Sequence, residues 1–200
     1  MCIRDSSIEN ESVVELVNNR EREYIFADLP DIGYSTDIDT VMASSYQVKK
    51  QLQQIVKIEQ PITNTLLYKR ILRIWNLTRV TTRLQVFIDN LLEDAYKDPL
   101  SGDTIIYWED EEKAKDCDFY RINSKRDILD IPILEVMSAA RYAIEQQISM
   151  PTEDLKRLTS QLLGFSRKGN NLDMVTEQTI QLLIDKGIFS HANGMVSMNN

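Results

Sequence analysis

Between Leu67 and Arg83 the chain carries Lys69, Arg70, Arg73, Arg79 and Arg83 and no acidic residue, with Tyr68 and Trp75 interleaved. Cations at that density can neutralise backbone phosphates, and Gln85 just beyond them adds a polar group able to face a groove. The same residues can instead form a solvated basic face, or dock on acidic stretches of the same protein. A second basic pair, Arg167-Lys168, precedes Gly169-Asn170-Asn171 in a turn between two predicted helices. Phosphate contact and a plain connector are both open there.

Asp103 followed by Glu111-Glu112-Lys113 has the acid-then-E-x-K order of restriction-type nucleases, in which carboxylates hold a metal and lysine assists the attacking water. A working site needs that E-x-K on a rigid strand. Here it falls in a charged run, Glu109 to Lys115, that reads as a solvated loop, so a metal nuclease is the remote reading. There is no Walker A loop, no GxGxxG after a strand, no GxSxG elbow and no Cys-His couple. Cys2 and Cys117 lack CxxC spacing, and His191, the single histidine, has no partner for a helical zinc site. Neither a disulfide, a metal nor a cofactor is expected, and this region is expected not to be an enzyme.

The net charge of −8 argues against a polyanion partner, but the average conceals segregation. Residues 1–40 hold three Arg against ten acids, a net −7, and residues 41–97 hold nine Lys and Arg against four, a net +5. Residues 98–118 hold two Lys against eight acids, a net −6, and residues 119–200 balance at nine each. The basic block is therefore the functional lead. No apolar run approaches the roughly 20 residues that cross a bilayer, and no basic-then-apolar leader opens the chain, so a cytoplasmic location without membrane contact is expected.

The elements that must position these residues are mostly helical. Residues 1–45 read as an acidic linker with a short helix over Ser12–Glu21. Its first six residues, Met1-Cys2-Ile3-Arg4-Asp5-Ser6, resemble read-through of a sequencing adapter at the start of a metagenomic gene fragment. From Tyr46, Val48, Leu52, Ile55 and Val56 recur at helical spacing until Pro61 closes the segment. A second helix follows Pro61-Ile62-Thr63 with Leu67, Ile71, Ile74 and Trp75 on one face, Trp75 being read as core. A third starts at Thr81 or Thr82, with Leu84, Phe87, Ile88, Leu91 and Ala95 as its apolar stripe. After the dense turn Asp98–Asp103 come two β-rich runs, Thr104–Trp108 and Phe119–Ile122, read as a two-stranded wing with Trp108 partly exposed at its end. Three helices and a hairpin make a winged helix.

The remainder repeats that order. A helix over Ile133–Ile144 ends before Pro151, and a second, capped by Thr152 with Glu153 and Asp154 in its first turn, ends at Gly164. A third runs from about Leu172 to Lys186, where Gly187 supplies the left-handed cap. Ile188–Ala192 and Met195–Met198 then flank Asn193-Gly194, the preferred turn of a tight hairpin. The expected fold is mainly α with small β wings: an N-terminal linker (1–45) and tandem winged-helix-like units over 46–125 and 126–200.

Several of these segments together resemble a known group. They are Glu59-Gln60-Pro61-Ile62, Lys69-Arg70, the turn from Trp75 to Arg79, Tyr107-Trp108, Arg126 ahead of a helix with Glu135 and Ala139, and Leu163-Gly164-Phe165-Ser166-Arg167. The order is similar to a domain of unknown function at the C-terminus of large bacterial superfamily I DNA helicase-like proteins, often after a restriction-endonuclease-like domain. The resemblance spans roughly Tyr46 to Lys186, with Gln60 where the family pattern carries glycine. It implies an accessory module whose partners are the upstream helicase or nuclease domains of the same parent protein, and DNA. It implies no catalytic residue here, because the helicase and nuclease motifs lie upstream. Winged helices also serve as protein-docking modules, so docking without DNA contact stays open beside the DNA reading.

Overall fold

The computed structural model describes residues 19–34, 36–101, 104–122 and 125–199, which are mainly helical with small sheets. The adapter-like start, Cys2 and Asp103 lie outside those residues. So does most of the short helix expected over Ser12–Glu21, and its last residue opens a strand instead.

The N-terminal segment packs as part of the fold. After β1 (Glu21–Glu23), Ala27 is buried and Leu29, Ile32 and Ile38 lie against the first core, which then takes Val41 from α1 (Ile38–Ala43). The backbone of this strap is tied to the helix beneath it, with the Ile32 amide donating to the Ile74 carbonyl at 3.0 Å.

Helix α2 (Ser45–Glu59) buries Val48, Leu52, Ile55 and Val56, the i, i+4, i+7, i+8 set of one face. It stops at Gln60, extended at φ −62° and ψ 142°, because a residue before proline is driven out of the helical region. Strand β2 (Ile62–Thr63) leads into α3 (Asn64–Ile74), whose first turn is capped by the Thr63 hydroxyl accepting from the Leu66 amide. Helix α4 (Thr82–Leu91) is capped in the same way, the Thr81 hydroxyl accepting from the Leu84 amide at 3.2 Å. Strands β3 (Tyr96–Lys97) and β4 (Ile106–Trp108) follow, and β4 lies centrally in the order β2-β4-β3, antiparallel on both sides.

The hairpin expected between Thr104–Trp108 and Phe119–Ile122 is not formed. The turn after Asp98 folds β4 back onto β3 instead, and the Asp98 amide donates to the Ile106 carbonyl at 3.0 Å. Glu111–Lys115 then coil into the short helix α5, capped by Asp110 and braced by an i, i+4 pair from Lys115 to Glu111. Beyond it β5 (Tyr120–Ile122) pairs in parallel with β1. Trp108 is 1% exposed, a correction to its expected position at a wing tip; Asp98 accepts from its indole N–H at 3.2 Å.

The second half runs α6 (Ile133–Glu145), β6 (Met150–Pro151), α7 (Thr152–Leu162), α8 (Asn170–Asp185), β7 (Phe189–Ala192) and β8 (Met195–Met198). Its strand order is β6-β8-β7, the arrangement of the first half with the last strand again central. Asn193 and Gly194, at φ 53° and 76°, make the tight turn between β7 and β8. Thr152 does not cap α7: the cap position is Pro151, and the Thr152 hydroxyl makes a long 3.5 Å contact to the Gly194 carbonyl. The main cores of the two halves are distinct, but the first-half turn residue Leu100 packs into the second core, and Ile133 and Leu134 of α6 pack against Ile106, Trp108 and Phe119.

Candidate nucleic-acid interface

The five cations of the basic stretch are divided by the fold. Arg70 points inward from α3, its Nε 3.0 and 3.1 Å from the two oxygens of Glu59 and its Nη2 2.8 Å from the Tyr24 hydroxyl. Burial works against its charge, yet hydrogen bonding to Glu59 carries its pKa above the ordinary guanidinium value. Arg70 is thus committed to the interior. Lys69 reaches across to the second half, where both oxygens of buried Asp130 accept from its Nζ at 2.6 and 2.7 Å.

Arg73, Arg79 and Arg83 remain at the surface. Arg73 lies over the Phe26 ring at 4.9 Å and 3.9 Å from Asp28; Arg83 meets Asp39 at 2.8 Å. Arg79 is exposed and makes no ion pair among the described residues. The turn that carries Arg79 is fixed from below. Trp75 is buried with its indole N–H donating to Gln51 at 2.9 Å, and Asn76 takes the left-handed conformation at φ 48° that ends α3.

From there α4 shows solvent an exposed face of Thr82, Arg83, Val86 and Asn90, with Gln85 half-buried beside it. Val86 is 53% exposed, unusual for an aliphatic residue in the middle of an amphipathic helix. Asp89, a potential source of repulsion on this helix, is engaged by hydroxyl donors: Tyr68 at 2.7 and 2.8 Å and Tyr107 at 3.1 Å. Burial and then the nearby Asp89 raise both phenols well above their ordinary pKa, so both stay protonated and able to donate.

Arg167 and Lys168 are exposed in the α7–α8 turn. Lys168 borders a cavity of about 300 Å³ with Glu153, Lys156, Arg157 and Asp173. Lys156 there is bound by three carboxylates, Glu153, Asp173 and Glu177, at 3.2, 2.7 and 3.1 Å. That second basic site is therefore set among acids.

Charge counting missed a buried joint between the halves. Glu135, fully buried in the first turn of α6, takes Arg126 through both oxygens at 2.7 and 2.8 Å and also accepts from the Arg121 side chain and amide. Arg121 in turn donates to the carbonyls of Glu59 and Pro61 at 2.7 and 2.6 Å, gripping the end of α2. Tyr24 completes the group: its hydroxyl donates to Glu59, and the guanidinium groups of Arg126 and Arg121 lie 4.3 and 5.0 Å from its ring centre. Burial opposes ionisation of Glu135, but Arg121 and then Arg126 hold its pKa below the usual carboxylate range. The available signal was a glutamate inside the otherwise apolar run Ile133-Leu134-Glu135-Val136-Met137.

The E-x-K residues Glu111 and Lys113 lie on exposed α5, where Lys113 pairs with Glu109 and Asp110. Among the described residues no group of three or more His, Cys, Asp and Glu is disposed to hold a metal. Burial, followed by the charge of Glu135, pushes the Cys117 thiol up to about 12, so it is not a thiolate at neutral pH. Among the described residues no helix is long and apolar enough to cross a membrane.

A model of the family described as Protein of unknown function (DUF3320) matches residues 43–86. The match runs from the end of α1 through α3 into α4, and so contains Glu59, the five cations and Gln85. No curated protein and no solved structure matches the chain.

Proposed function

We propose that this chain is a non-catalytic accessory module, built of tandem winged-helix-like units, of a larger cytoplasmic DNA helicase- or nuclease-related protein, and that its first unit contacts duplex DNA. The element order helix, strand, helix, helix, strand, strand, with sheet order β2-β4-β3 over α2 to β4 and again β6-β8-β7 over α6 to β8, supports the winged-helix reading. The observation that carries DNA contact is the exposed face of α4 and of the turn before it, where Arg79, Thr82, Arg83, Val86 and Asn90 lie together and α4 itself contributes no acid to that face, the one carboxylate on Arg83 coming from Asp39 of the strap. A helix fits the major groove, and guanidinium, carboxamide and methyl groups are the types that meet phosphates and base edges there. The upstream domains of the parent protein would be the module's other partners.

The intramolecular pairs of Lys69, Arg70, Arg73 and Arg83 favour a second reading, a docking module whose basic helices hold acidic protein segments without DNA. A fluorescence titration of labelled duplex separates the two. Contacts from two or three arginines should weaken the affinity about tenfold or more between roughly 50 and 200 mM salt. Absence of binding at low salt, or binding indifferent to salt, would leave the docking reading.

A further inference from the structure

We propose that the strap formed by residues 26–34 and 36–39 is a built-in competitor for nucleic acid, with the carboxylates of Asp28 and Asp39 occupying the places of backbone phosphates on Arg73 and Arg83. This inference rests on the duplex-binding reading above and adds its regulation.

The strap is anchored independently of its charges. Ala27 is buried, Leu29, Ile32 and Ile38 pack against the first core, and the Ile32 amide donates to the Ile74 carbonyl at 3.0 Å. The Thr36 hydroxyl donates to the Trp75 carbonyl, and the Asn76 carboxamide donates to the Tyr34 carbonyl at 3.3 Å. These bonds lay the strap along the end of α3 and the turn before α4, the part of the molecule that carries the exposed arginines. Its acids therefore sit on a fixed backbone beside those cations.

Both ion pairs are open to water. Arg83 and Asp39 are 57% and 73% exposed, and Arg73 and Asp28 are 54% and 88% exposed. Exposed pairs of this kind contribute little to stability and exchange readily. A guanidinium donates to carboxylate or phosphate oxygens through the same planar fork, so a phosphodiester backbone can take over each arginine while the strap stays in place. Arg79, without an acidic partner among the described residues, is the cation a phosphate meets first.

The test compares duplex affinity of the full chain with that of the Asp28→Asn/Asp39→Asn variant, and with a Glu112→Gln/Asp116→Asn control that changes net charge equally on exposed positions of α5 and its end. The strap variant should bind about three- to tenfold more tightly at low salt, and the control should stay within about twofold of the unchanged chain. Its thermal midpoint should barely move, and Asp39→Asn alone should show part of the gain if the double variant folds poorly. Equal affinity of strap variant and unchanged chain, or the same gain from the control pair, overturns the competitor while leaving duplex binding intact. Failure of every form to bind duplex removes the duplex-binding reading and this inference with it.

Discussion

Helices α4 and α8 occupy equivalent places, each the third helix counted from α2 or from α6 and each followed by two antiparallel strands, yet they show solvent opposite chemistry. The exposed face of α4 begins with Thr82 and Arg83 and continues through Val86 to Asn90. That of α8 carries Asp173, Met174, Glu177, Gln178, Gln181 and Asp185. Burial explains the likeness: both helices need an inward stripe, supplied by Leu84 and Ile88 in one and by Leu172, Ile180 and Leu183 in the other. Outward positions are not constrained by the core, so one arrangement can present a polyanion-compatible face and an acidic one. The acidic face of α8 suits protein contact better than phosphate.

A buried joint around Glu135 ties the two halves together, and breaking it should have the largest effect. Glu135→Ala leaves the buried guanidinium groups of Arg121 and Arg126 without their carboxylate, and should cost about 3–5 kcal/mol in chemical denaturation. Retention of wild-type stability would mean that the joint is not a determinant of the fold. The same group makes stability pH-dependent. Because its folded pKa is depressed, its contribution is fully present above the ordinary value of 4.5 and is lost as pH falls through the lower folded value. Urea midpoints measured from neutral pH into the acid range should fall less steeply in Glu135→Gln than in the unchanged chain.

Next in size is the asymmetry that the proposed duplex contact predicts. Arg79→Ala combined with Arg83→Ala should weaken affinity about tenfold at low salt and flatten the salt dependence by about two contacts. Arg167→Ala with Lys168→Ala, set among Asp127, Glu153 and Asp173, should change affinity less than about twofold. A larger loss from the second pair would reverse the assignment of roles to the halves. The smallest contrast lies in helix starts. Thr81→Ala removes a hydroxyl that accepts from the Leu84 amide and should cost about 1 kcal/mol, whereas Thr152→Ala, which removes only a 3.5 Å contact, should cost a few tenths in thermal melts.

Much of the architecture was legible because it is local. Apolar spacing located α2, α3, α4, α6 and α8, Pro61 marked the end of α2, Thr81 capped α4, and Asn193-Gly194 placed the last hairpin. The strand pairing of the first half is not legible in the sequence, because β-rich composition shows that a run can be a strand but not which strand it joins. Phe119–Ile122 looked like the partner of Thr104–Trp108, and β5 in fact pairs with β1, some hundred positions earlier in the chain. The strap reads as a linker in the sequence for a similar reason: its acids hide the few apolar residues, among them Ala27, Leu29, Ile32, Ile38 and Val41, that pack it against the core.

The candidate site was legible only as a list of cations. Residue type and spacing determine that Lys69, Arg70, Arg73, Arg79 and Arg83 concentrate charge on one helix pair, since charge and helical period are properties of the sequence alone. Which of them faces water depends on what approaches from far along the chain. Glu59 and Tyr24 draw Arg70 inward, Asp130 takes Lys69 across to the second half, and Arg79 and Arg83 stay exposed at the turn and start of α4. Those choices are set by desolvation and pairing between distant segments, so tertiary structure alone separates the cations that hold the fold from those left for a partner.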